Sequence, residues 1–360
     1  MKKWFLHILL LVGLFGMLTT SCSQDEGLES QASDEKVQVM FTIALDGPSS
    51  ARSRATWGSE YDDEIGDKFE NSIDTDQLFV KLTIDTLTYD VENVASWKET
   101  NGAINEYKFV GEVDVTATSL TGAKVMVFAN MTPAQTIGGE TFNADYSTFP
   151  GTGVEYIPMW GVHTITADEG LSLTPGSRTE LTEPIYLLRA MAKVEVNLNF
   201  NAEDYTLTNV SLNKYNKHGN SLPSGASLAA NTKALHYDNE TGYCFNPNTT
   251  EQGEELAFTV TNDHLVFYLP EVANHANDEL MMTVTLKKGN DEVKLNAPYL
   301  YFRNYEDGNA DNAAPFDIVR NHWYQYNITA VSTEIKVELK TLLYQAQDWG
   351  SKQDVDIEYN

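Results

Sequence analysis

From Val37 to Leu339 the chain is a series of short apolar–polar alternations broken by turn formers, with no segment carrying the 3.6-residue period of a long helix. Alternation puts successive side chains on opposite faces, so each run reads as a half-buried strand. The runs fall at 37–45, 78–84, 124–129, 185–188, 194–200, 205–212, 256–260, 265–269, 281–286, 323–328, 335–339 and 355–359. Gly138-Gly139, Pro150-Gly151, Pro175-Gly176 and Gly289-Asn290 punctuate them. Residues 60–78 hold either one short helix or an irregular loop. About a dozen short strands in a chain of 360 residues predict an all-β protein of two β-sandwiches in tandem. The expected units are 55–188 and 189–360, with the joint near 183–193.

Composition supports sizeable cores. Hydrophobic residues make up 42% and the chain has 18 Tyr and 15 Phe, which a disordered chain would lack. The formal net charge is −28, which argues against a nucleic-acid partner. Two cysteines, Cys22 and Cys244, exclude a disulfide scaffold and an all-cysteine zinc site.

The first 21 residues read as an export signal. Lys2 and Lys3 precede an apolar run at 4–18, which is shorter than the roughly 20 residues that span a bilayer. Leu18-Thr19-Thr20-Ser21-Cys22 follows and resembles a bacterial lipobox, with Thr19 where the strict pattern prefers Leu. Cys22 is the expected lipid site and the first residue after cleavage. The alternative is a plain secretory signal with an incidental Cys. Ser23-Gln24-Asp25-Glu26 resembles a Bacteroidetes surface-export signal, or is simply a polar tether. With Cys22 lipidated, Cys244 is an unpaired, small buried hydrophobe.

No enzyme signature is present, whether nucleophile elbow, HExxH, phosphate loop or dinucleotide fingerprint. No catalytic residue, cofactor or resident metal is therefore expected. His163, His218, His236, His264, His275 and His322 are scattered, none at metal-ligand spacing. Tyr305–Asn312 crowds oxygen ligands around Gly308, which raises calcium, but no Glu closes an EF-hand loop, and a solvated loop is the simpler reading. Trp57, Trp97, Trp160, Trp323 and Trp349 either fill cores or stack on sugars.

Two features at opposite ends complement each other. Asp46–Thr56 is rich in Gly, Pro and Ser and carries Arg52 and Arg54, a suitable target for a protease that cuts after Arg. A cut after Arg54 would free 22–54, with the lipid and the first strand. Loss of a strand leaves a groove with unpaired backbone groups and an apolar floor. At the other end, 354–359 alternates strictly. Val355, Ile357 and Tyr359 face one way, and Asp354, Asp356 and Glu358 the other. Such a strand fills a groove in another copy, or pairs within its own domain.

Several segments then resemble the fimbrillin family of Bacteroidetes type V pili. They are the lipobox, the Ser53-Arg54-Ala55-Thr56 loop, Phe69-Glu70-Asn71-Ser72-Ile73 before Leu78-Phe79-Val80, and Pro158-Met159-Trp160-Gly161. Leu188-Arg189-Ala190-Met191-Ala192-Lys193-Val194-Glu195-Val196, Phe267-Tyr268-Leu269-Pro270-Glu271 and Arg320-Asn321-His322-Trp323-Tyr324 complete the set. The resemblance implies transthyretin-like sandwiches and a lipoprotein precursor on the outer membrane. It also implies an Arg-specific protease acting at Arg54 or Arg52, then polymerisation with other pilin subunits by strand exchange. The resulting fimbria serves adhesion and biofilm formation through host or bacterial receptors. By this likeness Cys22 is the lipid site and Val355, Ile357 and Tyr359 are donor candidates. A shaft subunit fits best. A tip or anchor subunit, and a glycan-binding surface lipoprotein, are the alternatives.

Overall fold

In a computed structural model, the described residues are 36–44, 73–99, 106–131, 141–143, 156–199, 205–220, 252–253, 255–310, 312, 314–331 and 335–343. The first half holds β1 (Val37–Ala44), β2 (Leu78–Ile84), β3 (Leu87–Lys98), β4 (Glu106–Val113), β5 (Lys124–Ala129), β6 (Thr141–Asn143) and β7 (Met159–Thr164). The short strands β8 (Arg178–Glu180), β9 (Ile185–Tyr186) and β10 (Leu188–Arg189) follow. Apart from β6, their hydrogen-bonded order is β10-β7-β5-β2-β3-β4-β1-β8, with β9 also on β1.

Long β3 serves both layers. Leu87–Val91 pairs with β2, whereas Glu92–Lys98 pairs with β4, with a bulge between Asn93 and Ala95. A bulge bends a strand and lets it change sheets. The layers close on Val39, Phe41, Leu82, Val91, Phe109, Val125 and Val127, all buried.

The second half holds β11 (Ala192–Leu198), β12 (Tyr205–Leu212), β13 (Tyr215–Asn216), β14 (His218–Asn220), β15 (Gln252–Gly253), β16 (Leu256–Thr259), β17 (His264–Leu269) and β18 (Met281–Lys288). Then come β19 (Asp291–Glu292), β20 (Tyr299–Tyr301), β21 (Tyr305–Glu306), β22 (Asn309–Ala310), β23 (His322–Val331) and β24 (Ile335–Leu343). A sheet ordered β17-β11-β23-β24 faces one ordered β16-β12-β18-β19, with β20 on β18. Phe258 stacks on Phe267 at 4.5 Å between them. Phe302 meets Tyr324 and Tyr326 edge-on at 5.6 and 5.7 Å.

The chain is all-β, as expected. Among the described residues the helical segments are single 3-10 turns at Thr75–Gln77 and Ala167–Glu169. The first is capped by Asp74, which accepts from the N–H of Asp76 at 3.0 Å; residues 60–72 lie outside the described set. No described helix is long and apolar enough to cross a membrane.

One expected strand divides. The apolar run 185–188 becomes β9 and β10, which serve different layers. The N–H of Leu187 donates to the carbonyl of Ala44, and Leu188 then pairs with Trp160.

Candidate functional site

The first strand occupies a slot between β4 and the pair β8 and β9. It runs antiparallel to β4 from Val37↔Val113 to Ala44↔Glu106. On the other side it is parallel to β8, with Gln38 opposite Arg178, and to β9, with Ile43 opposite Ile185. The Gln38 N–H donates to Ser177 O at 3.1 Å, and Leu181 and Leu187 donate to Met40 O and Ala44 O at 2.9 and 3.0 Å. Backbone groups along both edges of β1 are thereby used.

Alternation sends Val37, Val39, Phe41 and Ile43 inward, none more than 6% exposed. Phe41 stacks on Phe109 with centroids 4.8 Å apart. A small apolar void beneath the strand is lined by Val39 and Phe41 together with Leu82, Val91, Val125 and Leu181. On the outer face Arg178 Nη2 donates to Gln38 Oε1 at 3.3 Å, and Lys108 Nζ donates to Thr42 Oγ1 at 2.7 Å. Lys36 pairs with Glu92, whose hydrogen bond and charge raise the lysine pKa.

Each inward side chain stabilises the slot by about 1.5–3 kcal/mol. Ladder hydrogen bonds add about 0.5–1.5 kcal/mol apiece. The covalent link from β1 to the rest of the sandwich is residues 45–72, the segment carrying Arg52 and Arg54. Arg52 and Arg54 lie outside the described residues, as do Cys22, Cys244, Val355, Ile357 and Tyr359. The C-terminal segment 335–343 is β24. It pairs with β23 in its own sheet, from Val331↔Ile335 to His322↔Leu343.

Four of the quoted segments, 158–161, 188–196, 267–271 and 320–324, meet in space. Lys193 of β11 sits beside Trp323 of parallel β23, its Nζ 4.8 Å from the ring centroid. Arg189 donates from Nη1 to Asn321 Oδ1 at 3.4 Å. Asn321 has φ 58°, a conformation Asn tolerates, and its N–H donates to Met191 O at 2.8 Å. Met159 and Trp160 pair with β10, and Glu271 meets Arg320. Arg189 with Asn321 and Glu271 with Arg320 are buried polar contacts between segments distant in the sequence. Spacing alone did not reveal that partnership, because the partners are far apart in sequence.

Among the described residues the histidines do not converge. His163 Nε2 lies 2.9 Å from Glu169, and His264 Nε2 lies 3.2 Å from Glu195. His322 is buried and its Nδ1–H donates to the Arg320 carbonyl at 2.9 Å. Burial lowers the His322 pKa to about 4, against a smaller opposing effect of that bond. His236 lies outside the described residues. No described group of His, Cys, Asp and Glu could hold a metal ion. Of the segment considered for calcium, residues 305–310 form the tight hairpin of β21 and β22, and Asp311 lies outside the described residues. Trp160 and Trp323 are core residues, whereas Trp97 is 37% exposed; Trp57 and Trp349 lie outside the described residues.

No protein-family model and no curated protein matches the sequence. Solved structures do match. The tip fimbrial protein Mfa3 from Porphyromonas gingivalis, with a C-terminal truncation, aligns at a TM-score of 0.53 and 12% identity. That alignment covers 86% of this chain and 100% of that one. A fimbrilin (fimA) from the same organism aligns at 0.47 and 14% identity, over 86% of this chain and 99% of that one. At such identities the likeness speaks for the fold, which this chain shares with a fimbrial protein of the kind the quoted segments resemble.

Proposed function

We propose that the chain is a structural subunit of a cell-surface fimbria, most consistent with the shaft, and carries no catalytic site. One observation carries this reading: β1 is a buried strand whose covalent link to the sandwich is the segment bearing Arg52 and Arg54. The precursor is lipidated at Cys22 and carried to the outer membrane surface. An Arg-specific protease cuts at Arg54, or at Arg52, and β1 loses the tether that favours it. The units 55–188 and 189–360 remain. A strand from another subunit, with Val355, Ile357 and Tyr359 directed inward, replaces β1 against β4. The contact is head-to-tail and does not close, so it propagates a filament. Partners are other pilin subunits and the surface receptors met in adhesion and biofilm formation.

Replacing Arg52 and Arg54 together by Ala tests this. The expected product is full-length, membrane-bound and unpolymerised, with the wild type starting at Ala55. Normal fibres from the double variant would refute the reading.

A tip role is the second reading, favoured by the fold shared with the tip protein Mfa3. Deletion of residues 350–360 separates the two. A shaft subunit stops polymerising, whereas a tip subunit still caps a fibre.

A further inference from the structure

Among the described strands, β24 pairs with β23 alone and so forms a sheet edge. Its head is already engaged. The Val337 N–H donates to the carbonyl of Gly308 at 2.8 Å, in the turn between β21 and β22. Asp307 and Gly308 both have positive φ, 46° and 81°, the shape of a two-residue hairpin turn. Lys336 donates from Nζ to Asn309 Oδ1. A Cβ on Gly308 would come within 3.0 Å of the Lys336 Cβ, so the turn lies directly against the strand.

In an antiparallel ladder, alternate residues turn their backbone groups to opposite sides. Val337 faces away from β23, and no register shift intervenes between Ile328↔Val337 and His322↔Leu343. The backbone N–H and C=O groups of Leu339, Thr341 and Leu343 therefore also point away from β23. A strand edge that no described strand pairs is a template for another strand.

The charges of β24 select how a second β24 could pair with it. Antiparallel pairing centred on Leu339 sets Glu338 opposite Lys340 of the second copy, twice by symmetry. Centring on Val337 sets Lys336 opposite Glu338, again twice. Centring on Glu338 opposes Glu338 to itself and Lys336 to Lys340, and like charges directly opposite destabilise. Both charge-matched registers need the Val337 N–H that Gly308 occupies.

We propose that β24 is a pairing surface for a second copy of this chain, and that the β21–β22 hairpin holds it closed. This goes beyond the fimbrial reading and does not depend on it, because the surface is the β24 edge and not the β1 slot.

The test uses the full chain with Arg52→Ala and Arg54→Ala, so that β1 stays in place. Gly308→Val strains the turn and presses it off Lys336. Asn309→Ala with Lys336→Ala, a gentler second variant, removes the side-chain latch. Sedimentation and hydrogen exchange at Val337 are measured over a concentration series. The expected result is at least about tenfold faster exchange of the Val337 amide in dilute solution, with a salt-sensitive dimer at higher concentration. Adding Thr341→Pro removes an outward N–H at an edge position that tolerates proline, and should abolish the dimer. Unchanged exchange at Val337 in both variants would overturn the proposal. So would faster exchange without dimers, or dimers that survive Thr341→Pro.

Discussion

Nη2 of Arg320 lies 2.8 Å from Oε2 of Glu271, and neither side chain is more than 2% exposed. The same nitrogen donates to the carbonyl of Asn220 at 2.9 Å, and Asn216 Nδ2 donates to the Glu271 carbonyl at 2.7 Å. The pair thus ties the residues leading into β23 to the segment around β13 and β14.

Removing one partner leaves the other charge buried without its counterion. Glu271→Gln or Arg320→Met should each cost about 3–5 kcal/mol in urea unfolding. The double variant should cost less than the sum of the two. Additive losses would show that the two side chains do not act as a pair.

The first strand should behave as a structural part of the precursor. Phe41→Ala removes the stack on Phe109 and enlarges the apolar void below β1. The expected loss is about 3–5 kcal/mol in the uncut protein. If cleavage removes β1, the mature subunit released from the variant should unfold like wild type.

Gly161 is a position of close approach. A Cβ there would lie 2.4 Å from the Tyr186 carbonyl oxygen and 2.7 Å from Leu187 Cδ2. Gly161→Ala should displace β9 and β10 and destabilise by about 1–3 kcal/mol, read as a lower denaturation midpoint. Faster proteolysis around 185–189 should accompany it.

His322 predicts an acid-sensitive fold. Burial holds its folded pKa near 4, below the ordinary histidine value of about 6.5. Between these values the unfolded chain binds more protons, so stability falls with decreasing pH. The contribution is complete above about pH 6.5 and is lost as the pH falls through 4. Urea midpoints measured from pH 7 to 4 should show this slope, and His322→Gln should flatten it.

Much of the fold is legible in local pattern. Val37, Val39, Phe41 and Ile43 alternate with more polar neighbours and do point inward. The same holds for β2 and β18, because period-two alternation is what a strand with one buried face requires. β3 and β4 escaped this reading. β3 exposes Leu87, Val94 and Trp97, and its bulge at Val94 shifts the alternation partway along. In β4, Gly111 sits where a Cβ would meet Phe109 and Val91 at 2.6 Å, so the packing there shows no apolar side chain in the sequence.

The order of residues dictates which of them turn inward, because side-chain direction is set within each strand. The sequence also sets the acidic, motif-poor character of the chain and the position of two arginines after the first strand. Which strands are neighbours follows from how the layers pack. The slot of β1 between antiparallel β4 and parallel β8 and β9, the division of 185–188 between two layers, and the Gly308 carbonyl on Val337 are long-range pairings. Backbone N–H and C=O groups are the same in every residue, so their partners are chosen by how the layers pack and not by local pattern.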